Sequence, residues 1–168
     1  AYAGLSRLGK ENEIRSLIDV NEMLPAVGQG VLAATCREGD LRANNLLSVL
    51  AHPNTTAAVT AERSMLRVLD GSCHTPIAGM AEVGETGALI LLGNILQPDG
   101  GRNAEVSLVG NFDNPEQLGI NVAEKLILES DPEMFNEIKR SQSPLITPHP
   151  ETEYKQDMVK GEAGMSSD

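Results

Sequence analysis

The chain has 168 residues, of which 40% are hydrophobic and only 2% aromatic, with no Trp and a formal net charge of -11. A length of this order holds one domain, at most one and a half, and the core must be built from Leu, Ile, Val, Ala and Met. The acidic balance argues against a general nucleic-acid binder, whose footprint is basic, and against attachment to an anionic membrane surface. No apolar run is long enough for a transmembrane helix. Residues 1–10 lack the basic-then-apolar pattern of a signal peptide. The first residue is Ala1 and not Met, and the chain reads as beginning inside a longer protein.

Residues 1–24 read as a short helical piece followed by a turn, with Leu5, Leu8, Ile14, Leu17 and Ile18 as its apolar positions. In 24–30, Leu-Pro-Ala-Val-Gly-Gln-Gly, two glycines flank Gln29 and mark backbone that turns or passes close to something. Residues 31–36, Val-Leu-Ala-Ala-Thr-Cys, are a short apolar run bounded by Gly30 and by Arg37-Glu38-Gly39-Asp40, which predicts a buried strand. Asp40 is placed to cap a helix over 41–50, which His52-Pro53 ends. Asn54 is placed to cap the next helix, about 55–69. There Ala58, Ala61, Met65, Val68 and Leu69 form one apolar stripe, with Arg63 and Arg67 on the opposite side and Gly71 as breaker.

Three strands are expected next, at about 77–83, 88–96 and 104–109. Glu85-Thr86-Gly87 and Pro98-Asp99-Gly100-Gly101 are the turn signals between them, so the strands form an antiparallel meander. Asn114-Pro115 opens a helix over 115–129, with Leu118, Val122, Leu126 and Leu128 or Glu129 near its apolar edge. Asp131-Pro132 starts a further short helix to Arg140. From Ser141 to Asp168 the sequence is polar and Pro-rich, and 141–168 read as a disordered tail. The compact unit is 53–140, an α+β domain whose three-stranded antiparallel sheet is covered by helices on one face.

Cys36 and Cys73 fit no zinc spacing and no CxxC pattern, so two free thiols in a reducing compartment are the default. Cys36 ends the apolar run and is expected to be packed. Cys73 stands on a loop between a helix and a strand, with Gly71 before it and Pro76 after it. Two readings compete there: a small buried hydrophobe, or an exposed thiol available for modification. His74 is adjacent in sequence and points away from Cys73, which argues against a Cys/His nucleophile. His52 and His149 lie beside prolines, and no set of His, Cys and carboxylate suggests a metal. Arg63 and Arg67 are either a solvated helix face or a contact for ligand carboxylates. The glycines about Gln29 lack the GxGxxG and Lys-Ser/Thr signatures of phosphate loops.

Four blocks in order then resemble the porphobilinogen deaminase (hydroxymethylbilane synthase) family. They are Leu-Pro-Ala-Val-Gly-Gln-Gly at 24–30, Cys36-Arg37, Ala61-Glu62-Arg63, and the run from Leu69 to Gly79 around Cys73. The last is similar to the family's cofactor-attachment loop, and the Gln97-Pro98-Asp99-Gly100 turn also fits. The resemblance covers most of residues 1–130, and the blocks are specific together and not singly. Thr35 departs from the Glu common before Cys-Arg.

The resemblance implies a three-domain enzyme of tetrapyrrole and heme biosynthesis. It condenses four porphobilinogen molecules into hydroxymethylbilane, with release of ammonia. The dipyrromethane cofactor is held covalently, as a thioether, at Cys73, with Arg63 meeting a pyrrole carboxylate. By the same resemblance 1–24 end the second domain, 25–52 cross over and return to the first, and 53–140 form the cofactor-attachment domain. The catalytic aspartate belongs to an N-terminal region that this chain lacks, so the chain alone is expected to be inactive. Expected partners are porphobilinogen and the growing oligopyrrole, with no nucleic acid, no membrane and no metal. A monomeric parent in the bacterial cytoplasm or plastid stroma is expected. The alternative is a stand-alone, non-catalytic binding or accessory module derived from this domain.

Overall fold

The computed structural model describes residues 2–71, 75–97, 99–131, 133 and 136. The expected helix from Asp131 to Arg140 and the expected tail at 141–168 lie essentially outside these residues. The described elements are α1 (Tyr2–Arg7), a 3-10 turn (Glu11–Glu13), α2 (Leu41–Ser48), α3 (Pro53–Val68), β1 (Ile77–Val83), β2 (Leu89–Leu96), β3 (Asn103–Gly110) and α4 (Pro115–Glu129). Among the described residues, no helix is long and apolar enough to cross a membrane.

The fold is α+β, as the sequence predicts. The strands form one sheet in the order β1-β2-β3, antiparallel throughout. Its register aligns Ile77, Ile95 and Ala104 in one cross-strand row and Ala81, Leu91 and Leu108 in another. Strand side chains alternate faces, so these rows share one side, and α3 and α4 pack on it. The core between the layers holds Met65, Leu69, Leu89, Leu91, Ile95, Val122 and Leu126, each at most 1% exposed. It is aliphatic, as the near-absence of aromatics requires.

The two helices approach closely. Any Cβ at Gly119 would overlap the carbonyl oxygen of Ala61, so only Gly fits there. Ser64, also buried, donates its hydroxyl to the Glu116 carbonyl at 2.9 Å and ties the same crossing. Beyond the sheet, Arg102 donates to Gln97 and forms a 2.6 Å ion pair with Asp131, linking the β2–β3 turn to the end of α4.

Several local expectations need correction. Residues 31–36 carry no regular structure and are exposed, not a buried strand. Their apolar pattern needs partner strands to satisfy its backbone, and among the described residues none pairs with it. Cys36 is accordingly exposed, its Sγ 3.8 Å from Asn44 Oδ1. Helix α3 starts earlier than expected: His52 is its N-cap, and Pro53 stands at its first position, where a missing N–H costs nothing. Val68 and Leu128 fall outside the buried stripes, at 39% and 83% exposed. Ala57, Ala61, Ser64 and Met65 make the buried face of α3. Asp40 does cap α2, accepting from the Ala43 N–H at 2.9 Å.

Candidate functional site

The end of α3 fixes one side of the segment that contains Cys73. The Gly71 N–H donates to the Leu66 carbonyl at 2.9 Å and the Asp70 N–H to the Arg67 carbonyl at 3.2 Å. This double closure needs a left-handed residue just past the helix, and that residue is Asp70, with φ 53°, rather than the expected Gly71. Gly71 has a different task. A Cβ there would come within 2.5 Å of Leu66 Cδ1 and 2.8 Å of Ile77 Cδ1, so Gly lets the chain pass between them. On the far side Thr75 is buried, and the Pro76 carbonyl accepts from the Leu96 N–H at 2.9 Å. Ser72, Cys73 and His74 lie outside the described residues, but both flanks are anchored.

Residues 24–30 run along the outer edge of β1. The Gly79 N–H donates to the Pro25 carbonyl at 3.0 Å, and Ala26 forms an antiparallel bridge with Ala78. The chain then turns, with the Gln29 N–H donating to the Ala26 carbonyl at 3.1 Å and Gly28 at φ 75°. A turn with positive φ at its third residue is the conformation that favours glycine. Glu62 of α3 holds the turn in place. Its Oε2 accepts from the Gly28 N–H and its Oε1 from the Ala81 N–H, each at 2.8 Å. This carboxyl is buried, only 7% exposed. Burial pushes its pKa above the ordinary carboxylate range, and the two N–H donors partly oppose that rise.

Between this turn and α3 lies a cleft of about 440 Å³. Val27, Gly28, Val31 and Ala33 line it from the turn and the segment after it, Val59, Arg63, Leu66 and Arg67 line it from α3, and Gly71 lines it as well. Arg63 and Arg67 are both exposed and lie one helical turn apart. The cleft thus combines an apolar surface with two guanidinium groups, and its lining residue Gly71 comes two residues before Cys73 in the chain. An adjoining cleft of about 800 Å³ shares Val31 and Val59 but has Glu62 as its one titratable lining residue, so it offers no cation to an anionic ligand.

Arg63 lies in the cleft, and Arg67, which the sequence motif left aside, lines it too. Cys36 is not among the lining residues. Glu62, which ties the turn to β1, is the residue that reading for chemistry passed over, although it was quoted within Ala61-Glu62-Arg63. Its signal was available: it is four residues after Ala58 and three before Met65, a carboxylate on the apolar face of the helix.

Two family models match the chain. Residues 56–128 match the C-terminal domain of porphobilinogen deaminase, and residues 1–45 match its dipyromethane cofactor binding domain. The chain belongs to the porphobilinogen deaminase family. Curated porphobilinogen deaminases show the same likeness. That of Thermus thermophilus is 39% identical over 139 residues, covering 83% of this chain and 46% of the relative. That of Paracoccus denitrificans is 42% identical over 126 residues, 75% of this chain and 40% of the relative. The chloroplastic porphobilinogen deaminase of Pisum sativum is 37% identical over 138 residues, 81% of this chain and 37% of the relative. The chain therefore spans less than half the length of these porphobilinogen deaminases. Cys73 and both arginines fall in the span of the C-terminal model, while the apolar wall from Val27 to Ala33 falls in the span of the cofactor-binding model.

Proposed function

We propose that this chain supplies the C-terminal part of an enzyme that condenses four porphobilinogen molecules into hydroxymethylbilane and releases ammonia. The dipyrromethane cofactor is held by Cys73 through a thioether. The observation that carries this reading is the arginine cleft, whose lining includes Gly71, two residues before Cys73. A pyrrole is a flat ring bearing carboxylate arms, and the cleft offers Val27, Val31, Val59 and Leu66 for the ring and Arg63 and Arg67 for the arms. Guanidinium is suited to this work because it stays charged and donates two parallel hydrogen bonds to one carboxylate. When bound, the dipyrromethane supplies the primer on which the oligopyrrole is built. The residues of this chain bind and orient it, and the valines and Leu66 exclude water from its ring faces.

Among the described residues, the cleft lining contains no carboxylate or imidazole, the groups suited to proton transfer near neutral pH. The acid–base chemistry belongs to the portion of the relatives that this chain does not cover, and the chain alone is inactive. Residues 1–24 then end a second domain, 25–52 return toward a first, and 53–140 carry the cofactor loop. Porphobilinogen and the growing oligopyrrole are its partners. The enzyme works as a monomer in a bacterial cytoplasm or a plastid stroma, in line with the bacterial and chloroplastic relatives.

Replacement of each arginine in a full-length enzyme carrying this sequence tests the reading. Arg63→Leu removes a charge-assisted hydrogen bond worth about 1.5–3 kcal/mol. Cofactor loading or chain elongation is expected to fall about tenfold or more, and further than in Arg67→Leu, since Arg63 stands within the family motif. Wild-type loading and elongation rates in both variants would contradict the carboxylate reading.

A further inference from the structure

We infer that Glu62 is a positioning residue, a latch that fixes the turn at 26–29 to the α+β unit and thereby sets the wall of the arginine cleft. Glu62 is not itself among the residues lining the arginine cleft, and nothing in the carboxylate-binding reading uses it. Its two oxygens are nevertheless committed. One accepts from Gly28 and the other from Ala81, each at 2.8 Å. The acceptor and donor residues are 34 and 19 positions apart in the chain. The Gly28 donor lies in the span matched by the cofactor-binding model and the Ala81 donor in the span matched by the C-terminal model, so a single side chain bridges the joint between them.

Only a carboxylate does this. Each oxygen must accept from a backbone N–H, and an amide in the same place would present its NH₂ to one of those donors. A buried carboxylate costs desolvation, and two short charge-assisted bonds offset part of it. Among the described residues no ion pair is seen for Glu62. The turn it grips, 24–31, contains no titratable side chain; the nearest charged residues on its own helix and on β1 are Arg63 and Glu82, both exposed. The latch is therefore a hydrogen-bonded device and not a salt bridge.

Its consequence follows from neighbours. Gly28 and Val27 line the cleft, and Arg63 is the next residue along α3. Holding Gly28 against the helix keeps the apolar wall opposite the guanidinium groups. Without the Glu62 bond, the turn is tied to the unit by the Pro25–Gly79 bond and the Ala26–Ala78 bridge upstream, and Gly28 itself is free to swing. The latch stands whatever the cleft binds; its effect on ligand affinity rests on the carboxylate reading.

Site-resolved amide hydrogen exchange of the 168-residue chain, without ligand, tests the latch directly. In Glu62→Gln the Gly28 amide is expected to exchange at least tenfold faster than in the wild type, while the amides of β2 that bond to β1 and β3 change less than twofold. Glu62→Ala is expected to give the same pattern with a larger effect. Unchanged exchange at Gly28 in both variants would overturn the latch. So would equal acceleration at Gly28 and throughout β2, because that pattern reports general loss of stability and not release of one turn. Since no ligand is present, failure here is distinct from failure of the carboxylate reading, which the arginine variants decide.

Discussion

At the scale of single residues, Glu62 makes stability depend on pH in a definite direction. Its folded pKa is raised above the ordinary value of about 4.3, with burial as the leading cause. Between the ordinary and the raised value, the folded chain holds a proton that the unfolded chain has released. Folding stability therefore falls as pH rises through that window, and above it the loss is complete. The full contribution is present below the unfolded pKa. The difference between wild-type and Glu62→Gln stabilities, followed by urea unfolding from acid to neutral pH, is expected to decline across this window and then level off. A difference that increases with pH would mean that the two backbone donors outweigh burial and that the carboxyl titrates low. Arg63 and Arg67 present the opposite case: both are exposed and add little to folding, and the role proposed for them is to meet ligand carboxylates in the cleft.

At the scale of elements, the close crossing of α3 and α4 sets the thickness of the layer on which the cleft is built. Gly119→Ala would push a Cβ into the Ala61 carbonyl oxygen and near the Met65 nitrogen, and backbone atoms cannot rotate away. Such overpacking costs about 1–3 kcal/mol. The urea midpoint of Gly119→Ala is expected to drop accordingly, whereas Gly4→Ala, in the open helix α1, is expected to hold or raise it because nothing lies within 4 Å of its Cβ. Equal midpoints for wild type and Gly119→Ala would show that the helices are not tightly engaged.

Which elements could be read from the sequence follows from how local their causes are. The bounds of α4 were legible because Asn114-Pro115 starts it and its stripe of Leu118, Val122 and Leu126 is regular. The strands were legible because the turn residues around Gly87 and Gly100 separate three apolar runs. The run at 31–36 misled, because a strand is made by its neighbours and none pairs with these residues among the described ones. The cap of α3 was misread because His52 and Pro53 signal both the end of one helix and the start of another. The cleft was half legible: Arg63 and the Cys73 loop came from motif, but the wall from Val27 to Ala33 is brought against α3 by Glu62, a contact across 34 residues that no local pattern announces.

At the scale of the whole molecule, the described chain divides unequally. All of its buried residues lie between Ala57 and Ser130, and none lies in the first fifty. Leu32, Val49 and Leu50 are 91%, 82% and 78% exposed, a large apolar surface for so acidic a chain. This fits a segment whose partners lie in the portion of the relatives that the chain does not span. Purified alone and given porphobilinogen, the 168-residue chain is expected to form no hydroxymethylbilane above the uncatalysed rate. Sustained turnover by the chain would show that its own residues perform the proton transfers.

The central claim is that Cys73 carries the dipyrromethane. Burial does not set Cys36 aside, because Cys36 proves to be exposed. Position along the chain favours Cys73, which comes two residues after Gly71, a lining residue of the arginine cleft, while Cys36 stands by Asn44 and is not among the lining residues. A serine hydroxyl is a far poorer nucleophile than a thiolate at neutral pH, so Cys73→Ser is expected to abolish the covalent group and Cys36→Ser to keep it. The most direct measurement is peptide mapping by mass spectrometry of a full-length holoenzyme carrying this sequence. The account predicts the dipyrromethane adduct on the peptide containing Cys73; an adduct on the peptide containing Cys36, or a Cys73→Ser enzyme that still holds it, would contradict the account.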